Sequence, residues 1–146
     1  MSPADETHIL DHPPSPAEFV ALRAACGWGE IPEAVARRAL AASVVDVSVR
    51  RSGALLGFGR VVGDGALYFY VQDLIVVPEA RGEGVGRAVM ERLMIRLREI
   101  APAGATIGLM SVAGKEGFYE RFGFAVRPTA SYGAGMTQIV GNGRAW

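Results

Sequence analysis

The sequence predicts one mixed α/β domain, in the α+β sense of a mostly antiparallel central sheet flanked by helices. Three observations carry this. Turn signals at Ser52-Gly53 and Asp64-Gly65 separate apolar and β-branched runs, as β-hairpins require. A glycine-rich loop, Gly82 to Gly86, joins a long apolar run to a helical stripe, as one strand–helix–strand crossover requires. The 146 residues, half of them apolar, make one domain's worth of chain, 1–146, able to fold without a disulfide or metal staple.

The elements follow in order. Thr7 to Leu10 is a short first strand, and Pro13, Pro14 and Pro16 punctuate it. Ser15 with Glu18 three residues on, and Pro16 at the first helical position, forms a capping box over a helix from Pro16 to Ala25. Gly27 and Gly29 around Trp28 end it. A second helix spans Pro32 to Ala42, with Ile31, Val35, Ala39 and Leu40 at helical spacing. Val44 to Val49 alternates as a strand and pairs with Leu55 to Val62 across Ser52-Gly53. Leu67 to Val77 is almost wholly apolar, the pattern of a central strand buried on both faces, and Pro78 stops it. Arg87 to Ile100 carries Val89, Leu93, Ile95 and Leu97 on one stripe. Ile107 to Val112 is a strand and Lys115 to Phe122 a short helix. Phe124 to Arg127 and Met136 to Val140 are two further strands.

Composition excludes several functions. Fifteen basic residues balance fifteen acidic ones, without the basic excess of a nucleic-acid binder. Cys26 is the lone cysteine, and His8 and His12 lie far upstream of it, so neither a disulfide nor a zinc spacing exists and no metal is expected. The first residues are polar and acidic, unlike a signal peptide. The longest apolar run, Ala66 to Val77, is broken by Gln72 and Asp73 and falls short of the roughly 20 residues that span a bilayer. A cytoplasmic protein without membrane or nucleic-acid partners is expected.

The chemistry concentrates between Asp73 and Arg87. Gly82, Gly84 and Gly86 alternate where a strand meets a helix N-terminus, so main-chain N–H groups can turn inward and reach a ligand closely. The helix end adds free N–H groups and a partial positive charge. The ligand class is an anion, best a phosphate or pyrophosphate, with Arg81 and Arg87 bracketing it. A Walker loop would need Gly-Lys-Ser/Thr, which is absent. A Rossmann fingerprint would be G-x-G-x-x-G in the first βαβ unit, whereas here the spacing is G-x-G-x-G after several hairpins.

Arg81-x-x-Gly84-x-Gly86, after Leu74-x-Val76-x-Pro78, resembles the acyl-CoA motif of the GCN5-related N-acetyltransferases. Phe118-Tyr-Glu-Arg-Phe-Gly-Phe124 resembles that family's second signature. The likeness spans about Val44 to Val140. It implies the acyl-CoA N-acyltransferase fold and acetyl-CoA as co-substrate. The loop residues Gly82, Glu83, Gly84, Val85, Gly86 and Arg87, with Arg81, would hold the CoA pyrophosphate. The pantetheine arm would run beside Leu74, Ile75 and Val76, where a main-chain N–H polarises the thioester carbonyl. That role needs splayed strands, and the polar interruption Gln72-Asp73 is a plausible site for the bulge responsible. Many members carry Asn seven residues before the signature tyrosine; here that position is Val112, so one cofactor contact is missing or made by main chain.

Tyr119 matches the family's proton-donor tyrosine; the alternative is an aromatic core residue beside Phe118 and Phe122. Asp73 interrupts an apolar strand. It is either a general base, as an acidic residue matches there in members resembling plant serotonin acetyltransferases, or a structural carboxylate paired with an arginine such as Arg60 or with bulge N–H groups. Trp28, Tyr70 and Tyr132 are candidates for the acceptor pocket, Trp28 foremost, because it sits between the two N-terminal helices, where the resembling fold places its substrate cover; an aromatic wall suits an aryl amine or a cation. The expected activity is direct acetyl transfer in a ternary complex to a small-molecule primary amine. A non-catalytic acyl-CoA sensor and a protein or peptide N-acetyltransferase are the rivals. Apolar strands near the C-terminus would offer a surface for a homodimer, which this family often forms.

Overall fold

A computed structural model describes residues 6–141, which divide into two compact units, one ending at Leu109 and one beginning at Met110. In the first, β1 (Thr7–Leu10) precedes α1 (Pro16–Ala25) and α2 (Glu33–Ala41). Then come β2 (Val45–Arg51), β3 (Ala54–Gly63), β4 (Tyr68–Val76), a single 3-10 turn (Pro78–Ala80), α3 (Val85–Ile100) and β5 (Thr106–Leu109). The sheet order is β1-β2-β3-β4-β5. The first three pairs are antiparallel, and β4 pairs with β5 in parallel through the α3 crossover.

Local chemistry sets these bounds. The Ser15 hydroxyl accepts from Glu18 N at 3.1 Å and the Glu18 carboxylate accepts from Ser15 N at 2.9 Å, so the capping box closes α1 as expected. Arg50 on β2 donates to both Glu18 oxygens, at 2.8 and 2.7 Å, and ties the start of the helix to the sheet. Pro32 caps α2 from outside the helix. The Asp64 carboxylate accepts the N–H groups of Ala66, Leu67 and Tyr68 and closes the β3–β4 hairpin.

The two faces of the sheet hold different helices. Phe58 and Ile75 join Phe19, Leu22, Ala36 and Leu40 in a core under α1 and α2. The neighbouring glycines turn to α3: a Cβ at Gly59 would lie 2.7 Å from Val89 Cγ1 and 3.0 Å from Leu93 Cδ1. The sheet thus leaves Gly59 no room for a side chain, because α3 lies directly on its main chain. β4 is less deeply buried than its composition suggests. Its residues alternate buried with half-buried, and Tyr68 is exposed.

One irregularity organises the sheet. Phe58 faces Ile75, but Arg60 faces Gln72, so Gly59 stands opposite both Asp73 and Leu74. This is a β-bulge at the polar interruption where it was anticipated, and Asp73 adopts φ 53°.

In the second unit, α4 (Glu116–Glu120) carries an aromatic cluster. The Phe118 ring meets Tyr119 edge-on at 5.0 Å and Phe122 at 5.4 Å, and Tyr119 meets Phe124 at 6.5 Å. The strands expected at Phe124–Arg127 and Met136–Val140 do not form. Val126, Met136 and Val140 are exposed, and Pro128, Gly133 and Gly135 interrupt the chain between the two runs. An apolar run becomes a strand only with a partner, and two short runs alone make a marginal hairpin.

Two stability outcomes follow from this packing. Gly59→Ala should lose about 1–3 kcal/mol in urea unfolding, because Val89 and Leu93 are fully buried and have nowhere to go. The Arg50 guanidinium, with the Ser15 N–H, holds the Glu18 carboxyl at about 2 against an ordinary 4.5. The folded value is depressed, so this stabilisation is present above pH 4.5 and is lost as pH falls toward 2. Glu18→Gln should therefore flatten the loss of stability across that window, measured by denaturant unfolding at a series of pH values.

Candidate active site

The loop before α3 is built from main chain. Gly82 and Gly84 adopt φ 83° and 82°, a region that side-chain-bearing residues disfavour, and open space lies where their Cβ atoms would be. Gly84 is the N-cap of α3 and supplies no side-chain cap. The first intrahelical bond runs from Ala88 N to Gly84 O, so the N–H groups of Val85, Gly86 and Arg87 precede the helix ladder. This donor set, at the positive end of a sixteen-residue helix, fits a phosphate or diphosphate. The helix starts two residues earlier than its apolar stripe indicates, so Val85 is a buried helix residue whose side chain packs over Gly57.

The charged side chains around the loop are otherwise engaged. Arg87 is exposed and pairs with Glu91 at 2.8 Å. Glu83 lies 3.7 Å from Arg51. Arg81 runs back along β4, where its Nε donates to Val76 O at 3.4 Å and Nη2 reaches Cys26 Sγ at 3.6 Å. Each of the two arginines expected to bracket the loop thus has a partner of its own, Glu91 for Arg87 and Val76 O for Arg81.

Beside the loop, β4 has an edge that no strand of this unit covers. Its pairing with β5 ends at Val71 and Leu109, while β4 runs on to Val76. Val77 N donates to Leu56 O on β3, so strand alternation turns the main chain of Ile75 toward β3 and that of Leu74 and Val76 toward the uncovered edge. Of the three residues expected along a ligand arm, Ile75 is thereby corrected: its side chain is core and its main chain serves β3. The Val76 carbonyl on the open side accepts from Cys26 Sγ at 3.6 Å as well as from Arg81.

At the bulge, Asp73 is 5% exposed and carries two arginines. Arg23 Nη1 donates to Oδ1 at 2.7 Å and Arg60 Nε to Oδ2 at 2.8 Å. Arg60 also donates to Ala39 O and Ser43 Oγ at the end of α2. Arg23 lies against the Phe19 and Trp28 rings, 5.8 and 5.6 Å from their centroids. This is the arginine-paired arrangement weighed against a general base, with both carboxylate oxygens occupied. Asp46 stands opposite Arg60 on β2, and burial pushes its carboxyl up despite the Ser43 hydroxyl and the nearby Arg60.

Tyr70 and Gln72 flank the bulge. Burial pushes the Tyr70 phenol up, and its hydrogen bond with Gln72 opposes this. Gln72 Oε1 accepts from Asp73 N at 3.3 Å. Trp28 lies in the α1–α2 connection, its N–H bonded to Arg23 O. Of the acceptor candidates, Trp28 and Tyr70 thus sit in the first unit. Tyr132 lies in the second, exposed, with Arg127 over its ring at 5.3 Å. Tyr119 is also in the second unit, and burial pushes its phenol up, so it keeps its proton at neutral pH. Arg23 had no signal as a site residue: it reads as a cation in the last turn of a helix, and only the fold brings it to Asp73.

Among the described residues no group of three or more His, Cys, Asp or Glu side chains is placed to hold a metal ion, and no helix is long and apolar enough to cross a membrane. A family model described as an acetyltransferase (GNAT) domain matches residues 42–126. Serotonin N-acetyltransferase 2, chloroplastic, from Oryza sativa subsp. japonica is 40% identical over 101 residues, which cover 66% of this chain and 50% of the rice protein. The chain thus spans about half the length of that relative. A probable acetyltransferase from meticillin-resistant Staphylococcus aureus superposes with a TM-score of 0.82 at 25% identity, covering 92% of this chain and 99% of that one. A GNAT-family acetyltransferase from Streptococcus pneumoniae superposes with a TM-score of 0.74 at 28% identity, covering 92% and 98%.

Proposed function

The chain belongs to the acetyltransferase (GNAT) family, and we propose that it transfers the acetyl group of acetyl-CoA directly to a primary amine, with residues 1–146 serving as one catalytic domain. The observation that carries this reading is the pairing of two main-chain donor sets: the uncapped N-terminus of α3 behind its glycine loop, and the uncovered edge of β4 beside it.

Acetyl-CoA supplies an activated acyl group and a thiolate leaving group. The N–H groups of Gly82 to Arg87 receive the diphosphate. The edge at Leu74 and Val76 takes the pantetheine arm as an added strand, and an N–H there donates to the thioester carbonyl as charge develops. Arg81 has to release Val76 O for that arm to pair, which frees its guanidinium for phosphate. Tyr119 is the proton donor to the departing sulfur; burial makes its phenol a weaker acid, so the transfer relies on placing the phenol against a desolvated thiolate. The amine sheds its proton to water, since both oxygens of Asp73 are engaged.

A small amine is the acceptor class that Trp28 and Tyr70 favour. The rice relative is named for serotonin, so an arylalkylamine is the first acceptor to assay. The expected place of work stays the cytoplasm, although that relative is named as chloroplastic.

Acetyl-CoA at 100 times its dissociation constant should stabilise the fold by about 2.7 kcal/mol, read as a thermal shift. Gly84→Val should remove the shift relative to its own unliganded melt, because a side chain would enter the open space at φ 82°. No shift with the wild type at saturating acetyl-CoA refutes the reading. Tyr119→Phe should retain the thermal shift and lose about 10²–10⁴ in turnover, followed by CoA release. Turnover close to that of the wild type returns Tyr119 to the aromatic cluster.

A further inference from the structure

We propose that Asp73 is a positioning residue: gripped by Arg60 and Arg23, it fixes the β4 bulge and thereby aims the uncovered main-chain edge at Leu74 and Val76. The proposal rests on the acetyl-CoA reading and assigns what holds that edge in place.

The bulge is costly where it stands. Asp73 has φ 53°, and of the side-chain-bearing residues described only Ser52, in a hairpin turn, shares a positive φ. A left-handed residue of this kind persists only when its surroundings over-determine it. Here they do. Arg60 comes from the residue opposite Gln72, the last pair before the register shifts, and reaches diagonally to Asp73 Oδ2. Its Nη1 is held by Ala39 O and Ser43 Oγ, which restrains the guanidinium from its far side. Arg23 grips Oδ1 from α1, with its guanidinium against the Phe19 and Trp28 rings. Gln72 Oε1 satisfies the N–H of Asp73 itself.

The grip decides the register downstream. Strand side chains alternate, so ironing the bulge out into regular strand, with Asp73 kept in it, would send every residue after it to the opposite face. Ile75 would leave the α1/α2 core and Leu74 would leave Gly59 and α3. The main-chain alternation would reverse with it. Leu74 and Val76 would turn toward β3, and the edge would present the main chain of Asp73 and Ile75 instead, with its donors displaced along the strand. Both carboxylate oxygens accept charge-assisted bonds from arginines, the arrangement of a group that holds structure in place.

The test uses the full chain as wild type, Asp73→Asn, Arg60→Gln, Arg23→Gln and the Asp73→Asn/Arg60→Gln double variant. Acetyl-CoA affinity is measured by calorimetry below every melting temperature, with far-UV circular dichroism as the folding control. Steady-state kinetics against an arylalkylamine gives the pH–rate profile. Asparagine tolerates the left-handed region and keeps one acceptor, and Arg23 is the more exposed partner, so at least these variants should fold. The expected result is a loss of about tenfold in acetyl-CoA affinity for Asp73→Asn and for Arg60→Gln, a smaller loss for Arg23→Gln, and no further loss in the double variant. The KM for acetyl-CoA should rise more than kcat falls, and the acidic limb of the profile should stay in place. Wild-type affinity in every folded variant overturns the proposal. So does a loss of turnover and of the acidic limb in Asp73→Asn alone. Absence of binding by the wild type overturns the acetyl-CoA reading, and this proposal with it.

Discussion

A single extra residue in β4 sets the geometry of the first unit. Upstream of it, Phe69 and Val71 are buried in the sheet and their main chains serve β5. Downstream, Ile75 belongs to the α1/α2 core and the main chains of Leu74 and Val76 serve no strand of this unit. Gly59 stands opposite the extra residue, and α3 comes close enough there to exclude even a methyl group. The bulge, the uncovered edge and the seating of α3 are therefore one constraint seen from three sides. A regular strand would have turned the main chain of Asp73 and Ile75, rather than that of Leu74 and Val76, to that edge.

The polar cluster at that point is a weak source of net stability. Two arginines and a carboxylate must be stripped of water, and such groups return little more than they lose. What the cluster provides is direction. Apolar contacts between α1, α2 and the sheet can slide by a fraction of a residue, whereas Arg60, on β3, has fixed partners on α2 and β4 at once. Arg23 adds α1 to the same carboxylate. The helices over this face are thus registered against the bulge by hydrogen bonds and against the rest of the sheet by Phe19, Leu22, Ala36 and Leu40.

How far the sequence revealed this depends on the range of the interaction. Helix α1 was readable end to end, because Ser15, Pro16 and Glu18 fix its start locally. The hairpins were readable from Ser52-Gly53 and Asp64-Gly65, and the bulge from two polar residues in an apolar run. Arg60 was identifiable as a partner because it sits on the neighbouring strand of a predicted hairpin. Arg23 was not, since fifty residues separate it from Asp73. The start of α3 was misplaced because a left-handed glycine cap leaves no side-chain signal. The strands read at Phe124–Arg127 and Met136–Val140 have the right local pattern, but pattern cannot supply the partner that a strand requires.

The candidate cofactor site shares that dependence on main chain. Its donors are N–H groups of glycines, of a helix end and of a strand edge, and the charged side chains nearby are paired with Val76 O, Glu91 or Arg51. A site of this kind specifies backbone conformation and says little about side-chain identity. Glycine is needed at positions 82 and 84 for the left-handed turns, and a residue that tolerates φ 53° is needed at position 73. Elsewhere along loop and edge, side chains can vary while the donors stay put. The two halves also fail differently. The loop is held by φ angles that only its own glycines adopt comfortably, whereas the edge is held from a distance, by arginines on two other elements. A change in α1 or β3 that never approaches the cofactor can therefore reach the edge while leaving the loop intact.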